Sequence, residues 1–259
     1  MRSLSVLSRQ YLQREWQVFL LAVGFLTRIP IPADPDFSDE KLNGASRYFP
    51  AVGLLVACAA ALVFVAAVAI FNNSLIAVLL SMTSSILLTG AFHEDGFADS
   101  CDGFGGGWRA EDVLRIMKDS RIGTYGAVAL VLVLGLKAAA LSAMPSTGVV
   151  VSALLWAHIV SRWLATSYLL DLNYVRGEGK SKPLATTMPL SHWLWSGLPV
   201  LILFIFTDAP ALLPLCLVLL AFRFAFAAYL RRRIGGYTGD ALGAAQQVVE
   251  IIIYLSFLA

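Results

Sequence analysis

The sequence has few charged residues and few cysteines. Asp, Glu, Lys and Arg make up 14% of its 259 residues, whereas an average soluble domain has about 25%. The formal net charge of +2 is too small to indicate a nucleic-acid partner, and we predict none. The three cysteines, Cys58, Cys101 and Cys216, are odd in number and far apart, so their spacing indicates neither a zinc site nor a disulfide framework.

Hydrophobic residues dominate the chain instead. They make up 58% of it, and the mean hydropathy is +0.75. Only α-helices and closed β-barrels satisfy their backbone hydrogen bonds inside a bilayer, and the apolar runs lack the alternation of barrel strands. The sequence therefore predicts an all-α integral membrane protein, a bundle of about seven transmembrane helices. The runs are 50–71, 75–92, 124–144, 148–170, 193–207, 210–230 and 241–259.

The N-terminal apolar stretch "VFLLAVGFL" (18–26) is shorter than the others. It follows several arginines but precedes "TRIPIPADPDF" rather than a small-residue cleavage site, so it does not resemble a signal peptide. About 20 apolar residues are needed to cross the hydrocarbon core. We therefore predict an interfacial or re-entrant helix, and whether residues 16–27 span the membrane is left open.

The charged residues are concentrated in alternate connections between the apolar runs. The heavily charged connections are 28–47, 93–121, 171–182 and 231–240. Connections 71–74 and 144–148 carry no charge, and 206–214 carries only Asp208. Because Lys and Arg concentrate on the cytoplasmic side of membrane proteins, we predict helical hairpins with the charged connections in the cytoplasm. We expect one polytopic domain, residues 1–259, in the cell inner membrane, with its active site on the cytoplasmic face.

A few charged residues fall inside the predicted spans, namely Lys137, Arg162, Arg223 and Glu250. Ionisable residues are costly in a bilayer and are functional candidates by default. The alternative is that they pair with one another or lie near the ends of their spans. We expect this alternative for Lys137 and Arg223.

The motif "GAFHEDGFADSCDGFGGGW" (90–108) gathers Glu94, Asp95, Asp99 and Asp102 directly after an apolar run. At about 100° per residue, Asp95, Asp99 and Asp102 share one helix face, and Glu94 lies about 100° to the side. Carboxylates so close together repel one another unless a cation lies between them. The alternative is a solvated acidic loop, whereas an EF-hand is excluded because its twelfth position is Gly106.

These carboxylates indicate a particular kind of metal site. Oxygen ligands without a thiolate pair or a histidine cluster favour Mg²⁺ or Mn²⁺ over zinc. We therefore predict that Asp95, Asp99 and Asp102 bind Mg²⁺ and serve the chemistry directly. His93 is a candidate to orient a carboxylate or to act as a base.

Basic residues in the other charged connections suggest a phosphorylated substrate. Arg121, Arg176 and Lys180 are candidates to hold phosphates, and Asp240 is either a first-turn helix acid or part of the metal or substrate site. Metal-binding carboxylates opposed by Arg and Lys are the groups that phosphoryl transfer needs. Basic clusters next to a membrane also bind anionic lipid head groups, which is the simpler alternative for them.

The motifs together resemble those of the cobalamin (5′-phosphate) synthases, also called adenosylcobinamide-GDP ribazoletransferases. The resemblance extends along nearly the whole chain. Its segments are "FLTRIPIP" (25–32), "RYFPAVG" (47–53), "HEDGFADSCDGFGGG" (93–107), "MKDSRIGTYG" (117–126), "SRWL" (161–164) and "GGYTGDALGA" (235–244). Each segment alone is weak evidence for this resemblance, but all of them together, in the order found in the family, are specific to it.

The resemblance implies a membrane-embedded, Mg²⁺-dependent enzyme of cobalamin biosynthesis. Such an enzyme joins adenosylcobinamide-GDP to α-ribazole or its 5′-phosphate, releases GMP and forms adenosylcobalamin or its 5′-phosphate. The implied partners are these substrates and the lipid bilayer. Self-association and association with other corrinoid enzymes are both left open.

Two other functions remain as alternatives at this point. A CDP-alcohol phosphotransferase also uses Asp clusters on cytoplasmic membrane helices, but its pattern places Ala-Arg after "DGxx" and continues through further spaced acids, whereas this chain has "DGFAD". A cation transporter would use the acids as a vestibule. A transporter is disfavoured because the predicted outer connections carry almost no polar machinery.

Overall fold

The computed structural model describes residues 2–34, 36–175, 187–205, 207 and 209–259. Their regular structure is helical apart from one bridge between Tyr174 and Tyr237, which confirms the predicted all-α class. The helices are α1 (Arg2–Leu26), α2 (Asp39–Ala45), α3 (Phe49–Phe71), α4 (Ser74–Thr89), α5 (Phe92–Gly106), α6 (Ala110–Ile116), α7 (Thr124–Ser142), α8 (Thr147–Ser167), α9 (Leu190–Ser196), α10 (Leu198–Ile205), α11 (Ala209–Ile234) and α12 (Gly239–Ser256). Short 3₁₀ turns precede α3 and follow α8.

Several helices are long and apolar enough to cross a bilayer, which supports the membrane class. They are Glu40–Phe71, Thr124–Ser142, Thr147–Leu170 and Leu213–Ile234. A fifth candidate joins α4 to α5 across a bend of 87°. The described residues thus give four or five candidate spans, compared with about seven predicted.

The difference arises at two apolar runs. The predicted span 193–207 is divided between the short helices α9 and α10, which meet at Gly197. The predicted span 241–259 becomes α12, whose apolarity is reduced by buried Gln246, Gln247 and Glu250. Composition alone therefore does not mark these helices as spans.

Helix α1 is continuous and packs against the start of α3. Buried Val18, Ala22 and Leu26 pack with Val52, while Trp16 on another face is exposed. Helix α1 is not among the candidate spans found in the described residues, and its interfacial placement stays a prediction.

Helix α8 is the central helix of the bundle. Within its most apolar stretch, 67% of the residues are buried, compared with 22% for Leu213–Ile234 of α11. Helices α3 and α12 both pack on α8. Gly53 of α3 allows this approach, because a Cβ there would collide with the carbonyl oxygen of His158. The polar groups on α8 therefore face protein rather than lipid.

A sharp corner separates the apolar helix α4 from the acidic helix α5. Gly90 and Ala91 both have left-handed backbones, with φ of 64° and 57°. The amide of Ala91 donates to the carbonyl of Ile86 at 2.9 Å, which closes the end of α4. The following helix therefore leaves the direction of α4 and packs against α7 and α12.

Candidate active site

Helix α5 carries all four acidic residues of the motif. It runs without a break from Phe92 to Gly106, so the predicted helical spacing of Asp95, Asp99 and Asp102 applies. The side chains differ in exposure, since Asp95 is exposed, Asp99 is half-buried and Asp102 is buried. Among the described residues, no three Asp, Glu, His or Cys side chains form a group that could hold a metal ion. Metal binding by these acids therefore stays a prediction.

The carboxylate of Asp102 joins α5 to the start of α7. Its two oxygens accept hydrogen bonds from the amides of Gly123, at 2.7 Å, and Gly126, at 2.8 Å. Amides in the first turn of a helix have no partner within the helix, and the helix dipole favours an anion there. Both glycines are required for the approach, because a Cβ on either would collide with this carboxylate. Asp102 therefore has a clear structural role.

We expect Asp102→Asn to destabilise the protein by about 1–3 kcal/mol, because it leaves a buried amide without an acceptor. The side chain is only 7% exposed, so water does not readily replace the lost bond. Thermal unfolding in detergent micelles measures this loss, and a variant as stable as the parent would contradict the capping role.

The same variant tests the predicted catalytic role of Asp102. Its turnover should be measured per folded molecule, at a temperature where parent and variant are both folded. We expect turnover to be abolished, as the sequence predicts. Normal turnover in the folded variant would restrict Asp102 to capping.

Asp240 lies beside the acidic helix. It occupies the first turn of α12, where Thr238 is the N-cap and accepts a hydrogen bond from the Ala241 amide at 3.1 Å. A Cβ added at Gly96 of α5 would lie 3.0 Å from the Asp240 Cα. The prediction that Asp240 is a first-turn acid is confirmed, and the fold brings it next to α5.

The predicted phosphate-binding cations are less completely described. The side chain of Arg121 is 86% exposed and pairs with Asp119, with an Nη2 to Oδ2 distance of 2.6 Å. Hydrogen bonds from Arg121 lower the pKa of Asp119 to about 2. Arg121 lies close in sequence to Gly123 and hence near the Asp102 end of α5. Arg176 and Lys180 lie outside the described residues.

His93 and Glu94 belong to a different face of α5 from Asp95. His93 is only 5% exposed, and Gly243 of α12 packs closely against its backbone. Oε1 of Glu94 accepts a hydrogen bond from Nε2 of Gln247 at 3.0 Å. Both residues thus face the protein interior, and the catalytic role of His93 stays a prediction.

A charged cluster is buried next to the face of α5 that carries His93 and Glu94. Glu250 of α12 lies 2.6 Å from Nζ of Lys137 and 2.8 Å from Nδ1 of His158. Nη1 of Arg162 is 3.8 Å from the same carboxylate. The expected pairing of Lys137 is therefore confirmed. The cluster borders a space of about 420 Å³, part of it open to the outside, which His93 and Glu94 also line.

Arg223 is paired as well. Its guanidinium donates to both carboxylate oxygens of Asp171, at 2.5 and 3.1 Å, and to the carbonyl of Ser167. Arg231 donates to the same carboxylate at 2.7 Å. Although burial opposes it, these hydrogen bonds hold the pKa of Asp171 below its usual range. The contacts join α11 to the end of α8. Arg223 thus has a structural partner, but it lies midway along the candidate span Leu213–Ile234 rather than near its end.

Two arginines that the sequence analysis did not single out border α5. Arg233 donates to the carbonyls of Phe104, at 3.2 Å, and Gly107, at 2.7 Å, at the end of the helix. The guanidinium of Arg28 lies over Gly90 at the corner between α4 and α5, so closely that no Cβ would fit there. Arg28 lies in the segment "FLTRIPIP", but nothing in its spacing indicates this contact.

The fold and the site define a helical integral membrane protein with a motif of four acidic residues on one helix, α5. Residues 18–258 match the protein family described as Cobalamin-5-phosphate synthase. This match covers most of the chain, and the chain belongs to that family.

Named relatives resemble the chain over nearly its full length. A protein from Ralstonia pickettii (strain 12J), named adenosylcobinamide-GDP ribazoletransferase, is 48% identical over 96% of this chain and 97% of its own length. One of the same name from Shewanella sp. (strain W3-18-1) is 46% identical, with the same coverage. A third, from Ralstonia nicotianae (strain ATCC BAA-1114 / GMI1000), is 48% identical over 92% of this chain and 93% of its own length. No solved structure matches the chain.

Proposed function

We propose that this protein joins adenosylcobinamide-GDP to α-ribazole, or to its 5′-phosphate, and releases GMP. The product is adenosylcobalamin or its 5′-phosphate, and the reaction belongs to a late stage of cobalamin biosynthesis. The observation that carries the proposal is the 48% identity, over 96% of the chain, to a protein named adenosylcobinamide-GDP ribazoletransferase. The acidic helix supports it, because a diphosphate substrate needs its charge neutralised.

Mg²⁺ fits the residues that α5 offers. Protein sites for Mg²⁺ usually supply one or two carboxylates and leave the remaining positions to water and substrate phosphates. Asp95 and Asp99 are on the accessible part of the helix, and we assign the metal to them. Asp102 has lone pairs left beyond its two amide contacts, because each carboxylate oxygen can accept more than one bond. Bound Mg²⁺ would neutralise charge on the diphosphate.

The reaction sets the tasks of the chain's own residues. The ribazole hydroxyl attacks the phosphorus that stays with cobinamide, and the bond from that phosphorus to the GMP oxygen breaks. The residues must take up the hydroxyl proton and hold the phosphates and the substrate hydroxyl. Exposed Asp95 is better placed to take that proton than His93, which is 5% exposed. Arg121, Arg176 and Lys180 would steady the phosphates, and Asp240 would bind the metal or a substrate hydroxyl.

We also place the protein in the cell inner membrane with α5 on the cytoplasmic face. Support comes from the basic residues that follow α5 in the connection 93–121 and from the 87° bend between α4 and α5. The seven apolar runs would then cross the bilayer as hairpins whose outer connections carry only Asp208. The substrates and the released GMP would be exchanged at the cytoplasmic surface.

The proposal predicts GMP release that requires both substrates. Purified protein in lipid nanodiscs should release GMP from adenosylcobinamide-GDP only when α-ribazole or its 5′-phosphate is added. Removing divalent cations with EDTA should abolish the release, because the diphosphate charge is no longer neutralised, and added Mg²⁺ should restore it. Liquid chromatography measures GMP and the cobalamin product together.

The same preparation tests the alternatives. Turnover of a CDP-alcohol without GMP release would indicate a lipid phosphotransferase. Cation flux into sealed vesicles without GMP release would indicate a transporter. Either result would overturn the proposal.

A further inference from the structure

A polar network lies behind the acidic helix and is not explained by the reaction itself. Lys137, His158, Arg162 and Glu250 are each at most 5% exposed, and they belong to α7, α8 and α12. Charged groups inside a membrane bundle are expensive and are usually retained for a function. A buried ion pair is also weak evidence for stability, since apolar residues of similar volume often do as well. The network therefore calls for a role other than holding the bundle together.

Gln247 connects this network to α5 by hydrogen bonds. The Gln247 side chain accepts a hydrogen bond from Nζ of Lys137 and donates one at 3.0 Å to Oε1 of Glu94. Gln247 is 1% exposed, and it lines the partly open space beside the cluster together with Glu94 and Lys137. Its neighbour Gln246 contacts Ser161, Glu250 and Gln247 within the network. The hydrogen bond to Glu94 therefore belongs to Gln247.

The position of Glu94 on α5 makes this hydrogen bond a rotational constraint. Glu94 directly precedes Asp95, and the two side chains diverge by about 100° around the helix axis. At the far end of the helix, Asp102 is fixed by amides of α7. Close packing at Gly96 and Gly243 brings the α5 and α12 backbones together. The Gln247 contact thus holds the end of α5 that presents Asp95 and Asp99.

We propose that Gln247, anchored by Lys137 and Glu250, is a positioning residue that sets the rotation of α5 and so the direction of Asp95 and Asp99. This inference rests on the proposed function for its catalytic consequence. Gln247 touches neither substrate nor metal. It acts through Glu94, in the way that outer-shell groups orient metal ligands.

The test compares neighbouring substitutions on α12. Gln247→Met and Gln246→Met each remove one buried amide from the same network, and only the first removes the bond to α5. We expect Gln247→Met to lower kcat about tenfold and to raise the Mg²⁺ concentration for half-maximal activity by a similar factor. Gln246→Met should leave both values within about twofold of the parent, because the link to Glu94 remains.

Substitutions at Glu94 separate the link from the Lys137 contact. Glu94→Gln keeps an oxygen that accepts from Gln247, so it should retain the parent's Mg²⁺ requirement. Glu94→Met removes that acceptor and should reproduce the effect of Gln247→Met. If the network has only a structural role, both methionine variants on α12 will lose thermal stability alike with an unchanged Mg²⁺ requirement. That result would overturn the proposal.

A second readout does not depend on activity. Phe97 lies two residues after Asp95, in the part of α5 that the Gln247 contact holds, and it is half-buried. In protein with Phe97→Cys and with Cys58, Cys101 and Cys216 replaced by serine, Gln247→Met should change the maleimide labelling rate at position 97 several-fold, and Gln246→Met should not. Equal labelling in both variants would count against the proposal even if the parent releases GMP. If the parent released no GMP, the proposed reaction would fail while the labelling result would still decide the rotation.

Discussion

Asp99→Asn is expected to reduce GMP release by about 100- to 1,000-fold, because a metal ligand supplies several kcal/mol of transition-state stabilisation. Asparagine keeps the size of the side chain but loses its charge and one acceptor oxygen. Asp99 is half-buried on a continuous helix, so the substitution should leave α5 folded. The rate should be measured with both substrates saturating and over a range of Mg²⁺ concentrations.

The matched control is Asp112→Asn on α6. Asp112 is an acidic residue of the same charged connection, and its carboxylate pairs with Arg115 at 3.0 Å on the surface. Its loss should change the rate less than about twofold, because exposed pairs contribute little. Asp95→Asn should behave like Asp99→Asn. Near-normal rates for both of these variants, in protein with unchanged circular dichroism, would remove the pair from the mechanism.

The part of this site that depends on local periodicity could be predicted from the sequence. Once a helix is assumed, the shared face of Asp95, Asp99 and Asp102 follows from spacing alone, as does the divergence of Glu94. The continuation of this helix through the glycines to Gly106 does not follow from the spacing. The first-turn position of Asp240 follows from the preceding glycine-rich turn and Thr238. The apolar runs likewise gave the all-α membrane class.

Contacts between distant elements could not be predicted in this way. The capping of α7 by Asp102 joins residues 21 and 24 positions apart, and no periodicity records it. The corner at Gly90 and Ala91 falls inside the run 75–92, which carries no charged residue and so predicts a single helix. The left-handed backbone of Ala91 is uncommon for a residue with a Cβ, and composition gives no sign of it.

The buried charges also show which features the sequence predicts and which require the structure. The cost of a charge in lipid predicts that Lys137 has a partner. It also indicates Glu250, the one acid among the four charges in the predicted spans, although no periodicity records a contact between residues 113 positions apart. The structure adds that the Glu250 carboxylate is shared by Lys137, His158 and Arg162. Loss of Glu250 therefore removes more contacts from this cluster than loss of Lys137 does.

This inequality predicts that Glu250→Gln is far more damaging than Lys137→Met. Removing the carboxylate leaves Lys137 and Arg162 buried without their counter-ion, and breaking a buried pair in this way costs about 3–5 kcal/mol. After Lys137→Met, Glu250 still has Arg162 and His158 within 4 Å. The loss of stability should therefore be smaller. Thermal and denaturant unfolding in detergent micelles, monitored by retention on gel filtration, measures both effects.

Glu111→Gln provides the control, because its pair with Arg109 is exposed on both sides, at 83% and 75%. Its stability should stay within about 0.5 kcal/mol of the parent. The double variant with both Lys137→Met and Glu250→Gln should lose less than the sum of the single losses, since it removes one of the unpaired cations along with the carboxylate. If Lys137→Met were as damaging as Glu250→Gln, or if the two losses were additive, Glu250 would not be the shared counter-ion. The Gln247 link to α5 would then need a different anchor.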